Sequence, residues 1–299
     1  MAGIAEFKGR SNTEGATICR DLVYDVGMHN GDDAAYYLSQ GLRVLAIEAD
    51  PQLVAQARAR FSDELRSGKL TLVNAGIAAT SGTGEFWICD EKSVWNSFDR
   101  SIASRQGMKH HAVEVPTRTF GEILEEYGVP LYLKIDIEGN DHLCVRELAR
   151  RALPQFISLE SECIGNASAE NANGLATLQL LRDIGYRKFK LINQEDFSAH
   201  SRSDLTVLLR RLIESAAYGR LRMPAVSRVA RLMTNKERLR RRNKYLFAIG
   251  SSGPWGKGTP GRWLSFEAAS STYQRARERF FERPGVAKYG FWCDWHATI

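Results

Sequence analysis

Residues 23–38, VYDVGMHNGDDAAYYL, contain a strand, a turn with two glycines and the start of a helix. The apolar run that begins at Leu22 ends at Gly27. Gly31 then precedes a helical pattern whose acidic first residues suit the positive end of a helix dipole. Glycines at both ends of such a turn let backbone N–H groups face a ligand without obstruction by side chains. The segment therefore predicts a strand–turn–helix unit with a binding turn after the strand.

Beyond this unit, the chain continues to alternate short apolar runs with amphipathic stretches. The run VLAIEAD at 44–50 meets Pro51, where Asp50 is a good N-cap and proline a good first residue for a helix to about residue 67. Further predicted strands are LTLVNAGIA (70–78), EFWIC (85–89, in a local hairpin at the sheet edge), VPLYLKIDI (129–137), FISLESE (156–162), RKFKLIN (187–193) and YLFAIG (245–250). The pattern predicts an α/β fold with a mostly parallel sheet and helices on both faces.

The turn after the first strand has features of a nucleoside site. Glu48 ends the second strand, seventeen residues past Gly31, where a carboxylate accepts hydrogen bonds from both hydroxyls of a ribose. A dinucleotide site uses a G-x-G-x-x-G run for pyrophosphate, and residues 28–30 occupy the positions of that run. The sequence therefore disfavours pyrophosphate, and the alternative to a nucleoside site is a glycine pair that serves only strand-to-helix packing.

Two other residues indicate which nucleoside would bind. Asp25 lies two places before the first glycine, where its carboxylate suits a cationic ligand such as S-adenosylmethionine, whose amino group needs an acceptor. Asn74 ends the third strand. Its side chain, or the neighbouring backbone amide of Ala75, is placed to bind the edge of adenine, whereas the alternative role for Asn74 is a simple strand-end cap.

The stretch LYLKIDIEGND at 131–141 departs from the apolar pattern of a buried central strand. Lys134, Asp136 and Glu138 alternate with apolar residues and gather at the carboxyl end of the strand, where ligands bind in open α/β sheets. These polar residues are therefore candidates for catalysis or acceptor binding.

Three motifs together resemble the FkbM family of S-adenosylmethionine-dependent methyltransferases: DVGMHNG (25–31), EADP (48–51) and KIDIEG (134–139). The resemblance covers roughly residues 21–193, and His29 stands where the family usually has asparagine. It implies a class I, Rossmann-like fold whose seven-stranded sheet has an antiparallel last strand, and transfer of a methyl group to a hydroxyl of a sugar or natural product. The implied cofactor is S-adenosyl-L-methionine, and the candidate cofactor-binding residues are Asp25, Gly27, His29, Asn30, Gly31, Glu48, Ala49, Asn74 and Ala75.

Such a transfer requires alignment of oxygen, methyl carbon and sulfur, and removal of the hydroxyl proton. We assign Asp136 to the cofactor and acceptor region and the base role to Glu138 or His142, although a lone helical histidine is more often a surface or capping residue. Glu160 and Glu162 follow the next strand, and with Asp136 and Glu138 they would hold Mg²⁺ or bind acceptor hydroxyls. We expect no required metal. Ser93, Asn96 and Ser97 lie in a polar loop that either closes over the cofactor or is a plain surface loop.

The positive charge of the chain, +6 overall, is concentrated between residues 200 and 245, which hold 13 lysine or arginine residues against three acidic ones. This connection between the last two predicted strands is expected as a helical basic insertion at about 196–243, within a domain at 21–250. Residues 1–20 precede that domain, and a loop–helix extension at 251–299 packs on it through its aromatic end. The insertion is either a docked helical cap or a lid that contacts an anionic membrane or a lipid-linked acceptor.

The expected partner is a small-molecule or glycan acceptor. A nucleic-acid methyltransferase is the first alternative, but amino-group methylation of bases normally uses an N/D-P-P-Y element where KIDIEG stands, so nucleic acid is disfavoured. A non-catalytic nucleoside-binding module is the second. Five scattered cysteines without ligand spacing, no apolar leader and no 20-residue apolar run indicate reduced thiols and a cytoplasmic location.

Overall fold

The computed structural model describes residues 18–149, 151–161, 174–200, 235–248, 250–281 and 291–299. Seven strands form the main sheet, in the order β3-β2-β1-β7-β8-β10-β9, and three more form a small sheet, in the order β4-β6-β5. The strands are β1 (Ile18–Val26), β2 (Arg43–Glu48), β3 (Leu70–Asn74), β4 (Gly76–Ile77), β5 (Gly82–Cys89), β6 (His110–Arg118), β7 (Val129–Ile135), β8 (Phe156–Glu160), β9 (Lys188–Asn193) and β10 (Cys293–Thr298).

Helices cover both faces of the main sheet, as predicted. The described helices are α1 (Asp32–Ser39), α2 (Pro51–Arg60), α3 (Ser62–Arg66), α4 (Arg100–Ala103), α5 (Phe120–Tyr127), α6 (Asp141–Leu148), α7 (Gly174–Ile184), α8 (Asn235–Asn243) and α9 (Phe266–Phe281). One core cluster packs α5, α6, α7 and α9 against the sheet. A second cluster contains residues of α1 and α2, with aromatic side chains from 245–263 packed against it. The α/β fold with a seven-stranded, mostly parallel sheet is thus confirmed.

The last strand of the main sheet is antiparallel, but its position corrects the sequence prediction. None of the described residues among 245–248 and 250 lies in a strand, and β10 pairs instead with both β8 and β9. The aromatic residues Tyr245 and Phe247 alternate as they would in a strand, yet both pack on Tyr36 of α1. The stretch 293–298, which the sequence assigns to an extension, supplies the strand instead. All of its residues except Asp294 are buried, and Trp295 is fully buried.

The EFWIC run also has a different partner from the one predicted. It lies in β5, which pairs antiparallel with β6 in the separate small sheet and not in a local hairpin at the edge of the main sheet. The prediction was wrong because it did not recognise the strand at 110–118, whose Val115 is buried. The helix predicted to about residue 67 is divided into α2 and α3 at Phe61.

Two sequence predictions fall largely outside the described residues. Most of the basic insertion, 201–234, is not described, and only its two ends are, at 196–200 and at 235–243, the latter as α8. Of the predicted lead-in at 1–20, the first 17 residues lie outside the description, and β1 begins at Ile18. Among the described residues, no helix is long and apolar enough to cross a membrane.

Candidate functional site

The turn after β1 joins the carboxyl ends of three neighbouring strands. The backbone amides of Gly27 and Met28 donate to the carbonyl of Ile47 on β2, and the amide of Asp136 donates to the carbonyl of Val26. Gly27 has a φ of 78°, and a Cβ at this position would lie 1.9 Å from the Asp136 carbonyl oxygen. Only glycine fits this approach. The DVGMHNG and KIDIEG motifs therefore meet directly.

Glu48 lies at the end of β2, beside this turn. Its Oε2 accepts a hydrogen bond from the His29 amide at 2.7 Å, and its Oε1 accepts one from the Asp50 amide at 2.9 Å. Burial raises the pKa of Glu48 to about 7, although the two amides oppose the shift. Each carboxylate oxygen has a second lone pair beyond the one used here. The free acceptor positions of Glu48 thus fit a pair of ribose hydroxyls, which would donate to them.

The predicted adenine-edge groups are bonded to the same segment. The side-chain amide of Asn74 donates to the carbonyls of Glu48 and Ala49, at 3.0 and 3.2 Å, and the amide of Ala75 donates to the Glu48 carbonyl. Both residues thus hold the end of β2 in place through their nitrogen atoms. Ala49 itself is buried beside them.

His29 and Asn30 occupy the middle of the turn. His29 has a φ of 53°, and its Nε2 lies 2.8 Å from the Ser93 hydroxyl. Burial lowers the pKa of His29, and the charge of Lys134 adds to the effect, so the imidazole is neutral at pH 7. Asn30 acts locally, since its side chain bonds the amide and carboxylate of Asp32 at the start of α1.

The carboxylate of Asp25 is fully buried and forms an ion pair with Lys134 Nζ at 3.0 Å. Burial raises the pKa of Asp25, while Lys134 acts in the opposite direction. We predicted that Asp25 meets the amino group of a ligand, but in this arrangement its cationic partner comes from the chain itself. The exposed carboxylate at this position is Asp136, whose side chain is 53% exposed and lies 3.9 Å from the same ammonium.

Glu138 follows in the loop between β7 and α6, with a φ of 47°. Its Oε2 lies 3.2 Å from the guanidinium of Arg105, and its backbone carbonyl accepts a hydrogen bond from the Ser97 hydroxyl. Burial, and then the charge of Asp136, raises the pKa of Glu138 to about 7, although Arg105 opposes the shift. A carboxylate with a pKa near neutrality is suited to general base catalysis at physiological pH.

His142, the other candidate base, lies one residue into α6 and is half-buried. Burial lowers its pKa, so the ring is neutral at pH 7 and able to accept a proton. The residue before it, Asp141, is fully buried, and burial raises the pKa of Asp141 to about 6.

The polar loop at 93–97 is bonded to all three motifs. Ser93 lies within hydrogen-bond distance of His29, Asn96 donates to Asp50 at 2.9 Å, and Ser97 donates to the Glu138 carbonyl at 2.7 Å. The loop therefore spans the end of β2, the turn after β1 and the loop after β7.

A family model for the methyltransferase FkbM domain matches residues 25–188, more than half of the chain. The chain belongs to the FkbM methyltransferase family. The match includes all three motifs and the loop that connects them, whereas β10 and α9 lie beyond it.

Solved methyltransferase structures resemble this FkbM chain at low identity. Precorrin-6y C5,15-methyltransferase from Geobacter metallireducens is 14% identical, with a TM-score of 0.31, over 60% of this chain and 73% of its own. A phosphoethanolamine N-methyltransferase from Haemonchus contortus, in complex with phosphomonomethylethanolamine and S-adenosylhomocysteine, is 11% identical, with a TM-score of 0.35, over 95% and 50%. A putative methyltransferase from Bacillus halodurans is 13% identical, with a TM-score of 0.29, over 72% and 84%. No curated protein matches the chain by sequence.

Further acidic residues of the FkbM chain surround the exposed end of β7. Burial raises the pKa of Glu160 and of Asp294 well above the ordinary range, and Asp136 and Asp141 raise both further. The sequence pattern predicts Glu160 near the site but not Asp294, which is opposite Glu160 in the β8–β10 register. In the sequence, Asp294 stands out only as the one acidic residue in the aromatic stretch FWCDW at 291–295. Glu162 lies outside the described residues, and within them no group of His, Cys, Asp and Glu is arranged to hold a metal ion.

Asp33 is another residue whose place does not follow from the sequence pattern. It lies in the first turn of α1, where both carboxylate oxygens accept from the Ser252 amide, at 2.9 and 3.0 Å. Burial raises the pKa of Asp33 to about 7, with Lys134 opposing the shift. In the same loop, Trp255 stacks on Tyr132 of β7 with ring centroids 4.9 Å apart. The loop at 251–256 therefore packs directly behind the site.

Proposed function

We propose that this FkbM methyltransferase transfers a methyl group from S-adenosyl-L-methionine to a hydroxyl of a sugar, glycan or secondary metabolite. The observation that carries the proposal is the close approach of the Gly27 turn to the backbone of Asp136. This contact brings the end of β2, which holds Glu48, next to the loop after β7, which holds Glu138. The methyl donor, bound through its nucleoside, and the base that deprotonates the acceptor would then both lie at the carboxyl ends of the strands.

The cofactor supplies an electrophilic methyl group when it is bound. Glu48 is suited to the ribose, because both of its oxygens keep an acceptor site and backbone amides fix the carboxylate. Asp136 is suited to the amino group of the cofactor, since its carboxylate is exposed and lies next to the turn. Gly27 and Gly31 place no side chain at either end of the turn.

Glu138 is the base that the site supports best. It is mostly buried, and its pKa of about 7 lets it be ionised, and still basic, near neutral pH. Arg105 holds one of its oxygens and leaves the other available for the hydroxyl proton. His142 is the alternative base, and the two are distinguished by comparing Glu138→Gln with His142→Gln.

The experiment is calorimetry with S-adenosylmethionine and S-adenosylhomocysteine, followed by transfer of labelled methyl from the cofactor to a fractionated cell extract. Mass analysis of the product is expected to show a methyl ether on a small molecule or glycan. Binding of a nicotinamide dinucleotide without either sulfur ligand would refute the cofactor assignment. A labelled product that is destroyed by nuclease, or that carries the methyl on nitrogen, would refute the acceptor assignment.

A further inference from the structure

Lys134 is an unusual residue for its position. It belongs to β7, which lies between β1 and β8 inside the main sheet, and its side chain is only 4% exposed. A lysine buried in a central strand normally loses the hydration of its ammonium group, which is costly unless opposite charges replace the water.

The ammonium of Lys134 contacts groups from three parts of the site. It donates to the Gly27 carbonyl at 2.7 Å and lies 3.0 Å from Asp25 at the end of β1. It also lies 4.0 Å from Asp33 in the first turn of α1 and 3.9 Å from Asp136 after β7. One cation thus connects the turn, the helix start and the KIDIEG loop.

The neighbouring carboxylates keep Lys134 protonated. Burial alone would lower the pKa of Lys134, but the carboxylates of Asp25, Asp136 and Asp33 raise it above its ordinary value. The ammonium therefore stays charged at any physiological pH, and it has no need to release its proton during a reaction. A permanently charged and fully enclosed group orients its neighbours and does not itself transfer protons.

We propose that Lys134 is a positioning residue that fixes the Gly27 turn and the Asp136 carboxylate relative to each other. The inference rests on the proposed function, because the turn and Asp136 are the groups that we assign to the cofactor. Buried ion pairs often add little net stability compared with apolar packing, so the placement of this pair at the functional edge favours an orienting role.

The chain offers a matched control in Lys190 on β9. Lys190 is as deeply buried as Lys134, and its ammonium also donates to a backbone carbonyl, that of Thr259, at 3.0 Å. Its partners belong to the loop at 256–263 and not to the three motifs. A loss of stability that follows from removing any buried lysine will appear in both Lys134→Gln and Lys190→Gln.

The test combines hydrogen exchange of the ligand-free protein with calorimetry of S-adenosylhomocysteine binding and thermal melting. In Lys134→Gln we expect faster exchange at the Met28 and Asp136 amides and a Kd raised by about tenfold or more. In Lys190→Gln we expect a lower Tm but unchanged exchange at these amides and an unchanged Kd. Asp136→Asn in the Lys134→Gln background should add little, since Lys134→Gln has already released the carboxylate that Asp136→Asn removes.

If Lys134→Gln lowers only the Tm, as Lys190→Gln does, the positioning role is overturned. If Lys134→Gln does not fold, the double variant Asp25→Asn/Lys134→Gln replaces it, with the same expected results. The double variant removes both charges of the closest ion pair, so neither charge of that pair is left buried without its partner. Failure of the wild-type protein to bind S-adenosylhomocysteine overturns the proposed function instead. The exchange measurement in the ligand-free protein then still decides whether Lys134 fixes the turn.

Discussion

The side-chain amide of Asn96 donates a hydrogen bond of 2.9 Å to Oδ2 of Asp50. The other oxygen of Asp50 accepts from the first amides of α2, and the backbone amide of Asp50 holds Glu48. Asn96 also accepts from the Cys89 amide at the end of β5. The small sheet is thus fastened to the residue that caps α2 and, through it, to the candidate ribose-binding carboxylate.

Replacing Asn96 by alanine is expected to reduce the free energy of unfolding by about 1–3 kcal/mol, because it leaves the part-buried Cys89 amide without its partner. Asn96→Asp keeps the acceptor for Cys89 but places a second carboxylate against Asp50, so it should restore little of this loss at neutral pH. Urea denaturation measures both variants. Equal stability of Asn96→Ala and wild type would show that the loop is not fastened in this way.

Glu48→Gln is expected to weaken S-adenosylhomocysteine binding by about 1–3 kcal/mol, because it removes charge-assisted hydrogen bonds to the ribose. Glu85→Gln is the matched control, since Glu85 is exposed on β5, away from the three motifs. Calorimetry of both variants gives the comparison. A similar Kd in Glu48→Gln and Glu85→Gln would contradict the role of Glu48.

Asp136→Asn and Glu138→Gln are each expected to reduce turnover by ~10²-fold or more. A base with a raised pKa of about 7 must lose its proton to work, so the wild-type rate should fall as the pH drops below about 7. Asp136→Asn removes a like charge that raises the pKa of Glu138, and its acidic limb should therefore move to lower pH. The pH profile of kcat measures this shift, with the exposed Glu114→Gln as control.

The three acids Asp33, Glu48 and Glu138 have a pKa of about 7 in the folded chain, whereas unfolded carboxyl groups titrate near 4. The folded state binds more protons between these values. Their contribution to stability is therefore complete below about pH 4 and is lost as the pH rises to about 7. Asp33→Asn should reduce the fall in Tm over this range, whereas Asp63→Asn, at a surface-exposed acid, should not. If Tm falls with rising pH equally in Asp33→Asn and in the wild type, the raised pKa of Asp33 is contradicted.

The basic segment is tested by charge reversal on α8, where Arg240 and Arg241 pair with Glu237. If this face contacts an anionic membrane or acceptor, changing Arg238, Arg240, Arg241 and Arg242 to Glu should abolish liposome binding or raise the KM for the acceptor. The wild-type interaction should also weaken with salt. Reversal of four exposed cations elsewhere, Arg20, Arg58, Lys69 and Arg275, controls for net charge. Binding of the wild-type protein that does not depend on salt would contradict a contact between α8 and an anionic membrane or acceptor.

Local sequence predicted the groups that lie next to each other along the chain. The turn from Gly27 to Gly31 and the carboxylate of Glu48 follow from strand ends and glycine positions within about 25 residues. The sequence also showed that Lys134 breaks an apolar strand, but not which carboxylates would surround it. Those partners come from separate elements, and no periodic pattern connects them.

The long-range contacts were not accessible to the same reasoning. Asp33 meets the amide of Ser252, and Asp294 lies opposite Glu160, only because the chain returns to the sheet after long connections. The same limit explains the misplaced last strand. Residues 245–250 and 293–298 both have a short apolar pattern, and only packing against α1 or against β8 and β9 separates them.

The place of β10 between β8 and β9 determines the order in which the sheet can assemble during synthesis. Lys188–Asn193 is made long before Cys293–Thr298, yet β10 is its only neighbour among the described strands of the main sheet. While the ribosome adds the intervening residues, both β8 and β9 have open edges that are able to pair with other chains. Nascent chains that stall before Cys293 should therefore depend on chaperones, and full-length chains should close the sheet in a late, slow step.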